Sequence, residues 1–404
     1  MNVLVINAGS SSLKYQLINL EKRDVMAKGI CERVGSDEAF HKHGIDDNEL
    51  VIDTPMKDHD DAMALVLEAL TSGPNKVIDS LDEIDAVGHR IVQGGKYFDS
   101  SVFIDDNVIE KIDELAELAP LHNKAALMGI HACKKTMPDK PMVAVFDTSY
   151  FQTLPQKAYM YPIPYELYEK YSLRKYGAHG TSHRYIAERA AQFLDEDLAD
   201  LKMITCHLGN GCSMTAIDHG MAIDTSMGLT PLDGLMMGTR CGAIDPAIVP
   251  FLMEHENLSF DEVNDLMNKQ SGLLGISGIS NDLRSVRDAS EAGNERAQLA
   301  YEMYSHSVKK YLGQYIAEMG GVDVIVLTAG VGENCEKMRR MIFTGLQTMG
   351  IVLDLEKNKT GRGEREISRD DSEVQILVIP TNEELMIAMD TLDVVEQMRL
   401  EGTL

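Results

Sequence analysis

The chain predicts an α/β fold made of two similar halves. Three observations carry this: a β-rich run ending in a small, polar turn occurs four times, amphipathic helical stretches separate these runs, and 404 residues exceed what one hydrophobic core usually supports. The four runs are VLVINAGSSS at 3–12, MVAVFDTS at 142–149, MITCHLGNGCS at 203–213 and VIVLTAGVGEN at 324–334. The first and third continue into a second alternating strand, over 13–20 and 214–218, so both read as hairpins and as equivalents of one another.

Between them, 60–70 reads as a helix with Met63, Val66, Leu67 and Leu70 on one face, closed by Ser72, Gly73 and Pro74. A second helix is expected over 107–119, stopped by Pro120. Ser182 is the expected N-cap of a third, whose Tyr185, Ile186, Ala190, Phe193 and Leu194 face inward. A long fourth begins at Glu295 and ends at Gly320 and Gly321. The polar stretch 357–371 reads as a surface excursion.

Composition bounds the function. With 44% hydrophobic and 25% charged residues the chain is globular. The N-terminal residues lack a basic region before their short apolar run, and no apolar stretch approaches the roughly 18 residues of a membrane span, so a cytoplasmic location is expected. Six cysteines without a CxxC pair suit reduced thiols, and Cys206, His207 and Cys212 are not read as a metal site. A net charge of −26 argues against nucleic acid and acidic membranes as partners. Any anion site must therefore rest on a few local cations.

Asn7-Ala8-Gly9-Ser10-Ser11-Ser12-Leu13-Lys14 follows a strand and offers amides, hydroxyls and one ammonium to a phosphate, although a plain hairpin turn uses the same residues. It lacks the GxxxxGK[ST] spacing. His207, Leu208, Gly209, Asn210 and Gly211 form the equivalent segment, with a simple type I′ turn at Asn210-Gly211 as the competing reading. The turn Ala329, Gly330, Val331, Gly332, Glu333, Asn334 leaves bare backbone that suits an adenine or ribose. Asp147 emerges at a strand end. Arg90 and Arg240 sit among glycines, an unusual setting for a solubilising arginine, and His179 in GAHGTSH shares it. Phosphoryl transfer to an anion needs such cations, because catalysis there consists of positioning and neutralising negative charge.

Taken together, INAGSSSLK, HRIVQGG, APLHN, FDTSY, HGTSH, HLGNGCSMTAIDHG, MGTRCG, SNDLR, AGVGEN and PTNEE resemble the acetokinase family in kind and order, over nearly the whole chain. That family shares a superfamily with actin, sugar kinases and heat-shock ATPases. The resemblance implies duplicated actin-like (ribonuclease H-like) ATPase domains with a central cleft, one domain spanning 1–150 plus 385–404 and the other 151–384. It implies reversible, Mg²⁺-dependent transfer of the ATP γ-phosphoryl group to acetate, giving acetyl phosphate and ADP, with Mn²⁺ able to substitute for Mg²⁺. Asn7 and Glu383 would hold the metal. Ser10, Ser12 and Lys14 would lie near the phosphates, and His207, Leu208, Gly209, Asn210, Gly211, Asp282, Leu283, Arg284, Gly330, Val331, Gly332, Glu333 and Asn334 would contact the nucleotide.

By the same resemblance Arg90 would bind the acceptor carboxylate, Arg240 and His179 would stabilise the transferring group, and His122 would stand beside it. Asp147 carries an acid/base role in the family; because acetate is already ionised at pH 7, it is expected here mainly to orient Arg or Mg²⁺ ligands. Val92, Leu121 and Pro231 match a small apolar pocket for the acetate methyl group. Ala178 replaces the more usual phenylalanine, which would enlarge that pocket, and Gln93 and Lys124 also depart from the family pattern. Gly330-Val331 implies ATP rather than pyrophosphate. Competing readings are a propionate or butyrate kinase and an actin-like scaffold ATPase, and a homodimer is expected because relatives form one.

Overall fold

In the computed structural model the apolar run of the first residues becomes a strand of a sheet buried on both faces. The structure describes residues 1–46 and 48–404, apart from the side chains of residues 120 and 121. Two units divide the chain, Met1–Tyr150 with Asn382–Leu404, and Phe151–Thr381.

The first unit holds β1 (Asn2–Gly9), β2 (Ser12–Asn19), β3 (Asp24–Glu32), β4 (Phe40–Ile45), β5 (Asn48–Asp53), β6 (Ala86–Ile91), β7 (Val102–Phe103) and β8 (Met142–Phe146). They form one sheet in the order β5-β4-β3-β2-β1-β6-β8-β7. β6 runs parallel to both β1 and β8, and the remaining pairs are antiparallel. Successive side chains point to opposite faces, so Leu4, Ile6, Leu13 and Leu17 join Met63, Val66 and Leu70 of the helix His59–Thr71 in one core. Val3, Val5 and Ile18 join Ile387, Ala388 and Val395 of the C-terminal helix Glu383–Glu401 in the other.

The second unit holds β9 (Lys202–Leu208), β10 (Cys212–Asp218), β11 (Met221–Thr225), β12 (Val324–Thr328), β13 (Arg365–Glu366) and β14 (Gln375–Val378), in the order β11-β10-β9-β12-β14-β13. Here β9, β12 and β14 are parallel, and β10 and β11 antiparallel. β3-β2-β1-β6-β8 of the first sheet thus corresponds strand for strand to β11-β10-β9-β12-β14 of the second. The halves suggested by the two hairpins are a topological repeat.

Several expectations need correction. Residues 382–384 belong to the first unit, because Asn382 caps the helix Glu383–Glu401, accepting from the Leu385 amide at 3.0 Å, and that helix packs on the first sheet. The helix expected over 107–119 ends at Glu114, a 3₁₀ turn follows, and Pro120 opens the next helix, Pro120–Thr136. Proline is tolerated there because the amide it lacks has no intrahelical partner in the first turn. His179, not Ser182, is the N-cap of Gly180–Leu194; its φ of 59° turns the chain sharply into the helix, and Ser182 lies buried inside it. The stretch 357–371 is partly interior: it contributes β13 and buries Asn358, Ile367 and Ser368.

Candidate active site

Each unit contributes a cluster of the singled-out residues. In the first, Arg90 lies on β6 and Asp147 follows β8, and the parallel pairing of Arg90 with Val145 sets them side by side. Arg90 Nε and Nη2 donate to Asp147 Oδ1 and Oδ2 at 3.1 and 2.8 Å, a two-pronged ion pair. Asp147 is 1% exposed while the Arg90 side chain keeps 20%. The carboxylate at this distance holds the Arg90 guanidinium pKa above its ordinary value.

Asn7 and Lys14 are cross-strand partners at the base of the β1–β2 hairpin, beside an exposed Ser10 and a half-buried Ser12. His59 Nε2 donates to the Gly9 carbonyl at 2.8 Å and so fixes the strand just before the turn. Asn7, Lys14 and Glu384 line a cavity of about 250 Å³. Glu383 Oε1 is buried without a hydrogen-bond partner among the described residues. Burial raises the Glu383 carboxyl pKa, and Arg90 and Lys14 pull it back. His122 is exposed near the start of Pro120–Thr136 and Val92 is half-buried just after β6; the Leu121 side chain lies outside the described residues. Gln93, unusual for the family, is 4% exposed and exchanges bonds with Asn123, so its role is to hold the segment after β6.

In the second unit, neither Asn210 nor Gly211 has a positive φ, so the β9–β10 turn is not type I′. A Gly209 amide to Gly211 carbonyl bond of 3.1 Å closes it instead. A methyl group added at Gly211 would lie 3.5 Å from Arg240 Nη1 and 3.6 Å from His179 Cε1, so bare backbone, guanidinium and imidazole converge. The His179 and His207 rings stack at 4.2 Å. Arg240 is held by the Pro231 carbonyl at 3.1 Å and the Met237 sulfur at 3.6 Å. Burial lowers the pKa of this guanidinium.

Gly238 donates its amide to the Asn210 carbonyl at 2.9 Å and packs so closely on the Asn210 side chain that no Cβ fits there. Asn281 donates to Asn210 Oδ1 at 3.1 Å, which ties SNDLR to the hairpin. Asp282 caps the helix Leu283–Glu291 and pairs with the exposed Arg284 at 2.7 Å. The Leu208 and Leu283 side chains are core residues, so only their backbones remain for a ligand. Residues 329–334, expected as an open turn, form a short helix, Ala329–Asn334, directly after β12, where Thr328 pairs with His207. Gly330 faces open space.

Sequence reading missed what holds this segment. Arg339, 2% exposed, donates from Nη1 to the Gly332 and Glu333 carbonyls at 2.9 Å and from Nε to Asn358 Oδ1 at 2.7 Å. Burial beside Arg365 lowers its pKa to about 10. No local pattern marks Arg339, because the Asn358 that fixes its guanidinium lies 19 residues further along the chain. His183, Ser213 and Thr205, buried beneath His179, were likewise not singled out, although the His179 to His183 spacing of one helical turn was available in HGTSH.

The profile of the acetokinase family matches residues 2–389. The chain belongs to the acetokinase family. Among acetokinase relatives, an acetate kinase of Halothermothrix orenii is 55% identical over 98% of this chain and its own full length. The crystal structure of Porphyromonas gingivalis acetate kinase superposes with a TM-score of 0.94 at 47% identity, covering 98% of this chain and 99% of that one. A Francisella tularensis propionate kinase follows at 0.91 and 42%, covering 97% and 99%. No helix among the described residues is long and apolar enough to cross a membrane.

Proposed function

We propose that this acetokinase catalyses reversible transfer of the ATP γ-phosphoryl group to acetate, forming acetyl phosphate and ADP. The observation that carries the reading is the convergence of Arg240 and His179 on the bare backbone of Gly211, with no carboxylate at ion-pair distance from Arg240 among the described residues. Such a site suits a phosphoryl group whose negative charge is spread over three oxygens.

Arg90 takes the acceptor carboxylate, and Asp147 holds the guanidinium in the plane that fork-shaped recognition needs. Acetate is ionised at neutral pH, so one of its oxygens attacks the γ-phosphorus without prior proton removal and the phosphorus–ADP oxygen bond breaks in line. Asp147 therefore orients and does not act as a base. Arg240 and His179 stabilise the equatorial oxygens, and His122 is a further candidate for the same charge. Ser10, Ser12 and Lys14 receive the phosphates. His207, Asn210, Gly211, Asp282, Arg284 and the bare backbone of residues 330–334 hold the nucleotide.

The residues present fit Mg²⁺, or Mn²⁺ in its place. Glu383 offers a buried carboxylate oxygen without a partner among the described residues and Asn7 an amide oxygen, the hard donors such ions prefer, and one carboxylate is enough where water and phosphates complete the shell. When bound, the ion neutralises charge on the phosphates. Val92, Leu121 and Pro231 are the proposed determinants of acceptor size. Ala178 is 3% exposed within the core of the second unit. Its small side chain is the feature that admits propionate as an alternative acceptor.

A cytoplasmic homodimer belongs to the same reading; the exposed Phe251 and Phe260, on neighbouring helices, supply apolar surface for a second copy. A monomeric mass by light scattering would remove the dimer.

Trapping acyl phosphates with hydroxylamine, in the presence of ATP and Mg²⁺, tests the central claim. Acetate is expected to give hydroxamate with the highest kcat/KM, propionate about 10-fold lower and butyrate lower still, since one methylene in an apolar pocket is worth about 1–3 kcal/mol. Absence of product with all three would end the kinase reading, and a propionate preference would rename the acceptor.

A further inference from the structure

Beneath His179, a chain of buried polar groups runs back into the second sheet. His179 Nδ1 lies 2.8 Å from Ser213 Oγ, Ser213 Oγ lies 2.7 Å from His183 Nε2, and His183 Nδ1 lies 2.7 Å from Thr205 Oγ1. Ser213, His183 and Thr205 are each 0% exposed. Each contact holds one proton, and a Ser213 hydroxyl that accepted from both imidazoles would strand its own buried proton, so the chain runs in a single direction.

In one direction Thr205 Oγ–H donates to His183 Nδ1, His183 Nε2–H donates to Ser213 Oγ, and Ser213 Oγ–H donates to His179 Nδ1. Neutral His179 then carries its proton on Nε2. In the reverse direction His179 Nδ1–H donates to Ser213, Ser213 to His183 Nε2, and His183 Nδ1–H to Thr205 Oγ1. That arrangement leaves the Thr205 hydroxyl proton in need of a further acceptor. Among the described residues the hydrogen-bond partner of Thr205 Oγ1 is His183 Nδ1. A buried donor left unpaired is costly, so the first direction is favoured. A doubly protonated His183 would leave the same orphan, and burial, reinforced by His207, lowers the His183 pKa well below its ordinary value.

We infer that Thr205, His183 and Ser213 form a tautomer relay that fixes neutral His179 as an Nε2–H donor, which makes His183 and Thr205 positioning residues for phosphoryl transfer. The inference rests on the reading of His179 as a group that faces the phosphoryl oxygens. Those oxygens are acceptors only, so the opposite tautomer would present a lone pair to an anion. Nε2 is also the nitrogen on the hairpin side of the ring: a Cβ placed at Gly211 would be 3.7 Å from it. An acetokinase with the relay reversed would hold the same ring in the same place with the wrong edge protonated.

The test uses the full chain labelled with ¹⁵N-histidine. Two-bond ¹H–¹⁵N spectra are expected to show the His179 signals, identified by their loss in His179→Gln, in the Nε2–H form. Thr205→Val removes the first donor of the relay; the His179 signals should shift toward the Nδ1–H form and kcat should fall on the order of 10-fold, with KM for ATP and acetate unchanged. Thr205→Ser should restore both. Because His183 is fully buried and bonded through both nitrogens, its replacement also strikes the fold; Thr205 therefore carries the test, and equal melting temperatures for its two variants exclude a merely structural effect. An Nδ1–H form in the wild type, or a Thr205→Val spectrum identical to it, overturns the relay. An altered tautomer with full turnover would sustain the relay and remove His179 from the phosphoryl group, and a wild type without kinase activity would overturn the function while the spectra still decide the relay.

Discussion

Arg90 and Arg240 sit in corresponding halves of a duplicated fold, yet their surroundings are opposite. Arg90 faces a carboxylate buried to 1% exposure, which answers its charge and fixes its plane. Arg240 is partly buried and is held by a carbonyl oxygen and a sulfur, with no carboxylate at ion-pair distance among the described residues. The balanced arginine suits an acceptor that brings one negative charge and needs orientation. The unbalanced one suits a phosphoryl group, which brings more negative charge. Burial lowers the Arg240 pKa and Asp147 raises that of Arg90, so the two directions record this division.

Removing the unbalanced charge should have the largest effect. Arg240→Ala is expected to lower kcat about 10³-fold, the scale at which a positioned donor to a developing oxyanion is lost. The melting temperature should stay close to wild type, since no ion pair breaks, and unchanged turnover in steady-state assays would place Arg240 outside the reaction.

Asp147→Asn breaks the balanced pair and should act on both stability and acceptor binding. Leaving one partner of a buried pair alone costs about 3 kcal/mol, read as a lower urea midpoint, and KM for acetate should rise more than KM for ATP. Equal loss in both KM values would mean that Asp147 does not act through Arg90.

The smallest effect concerns Glu383, whose carboxyl pKa burial raises. A raised carboxyl favours the folded state below its unfolded pKa, near 4.3, and this contribution is lost as pH rises through the folded value. Without metal, Glu383→Gln should therefore melt higher than wild type at pH 7, the difference should vanish below about pH 4, and Mg²⁺ should no longer raise the melting temperature. A lower melting temperature at pH 7 would show that the carboxylate is compensated by a group other than a bound ion.

Much of the fold was legible because its signals are local. Apolar, β-rich runs in VLVINAG and MITCHLG place the strands, and the two hairpins disclose the repeat. Gly320 ends the long helix Glu295–Met319 where expected, in the left-handed region. The misread boundaries have one cause. Pro120 and Ser182 are residues whose meaning depends on which side the helix lies, and that is decided by what each helix packs against. Candidate site residues were legible through motif order, as cations and glycines set together. Their pairing was not: nothing near Arg90 names Asp147, 57 residues away, as its partner, and nothing near Arg240 shows that no carboxylate among the described residues pairs with it.

The sequence by itself determined the α/β alternation, the duplication, the family and the residue types available for phosphoryl transfer, because periodicity and motif order are written in neighbouring residues. Tertiary structure alone decided which arginine is neutralised, which carboxylate oxygen is left unpaired at Glu383, what clamps residues 329–334, and which nitrogen of His179 bears the proton. Those are properties of buried polar groups. Their energies depend on partners that only the folded chain brings within 3 Å.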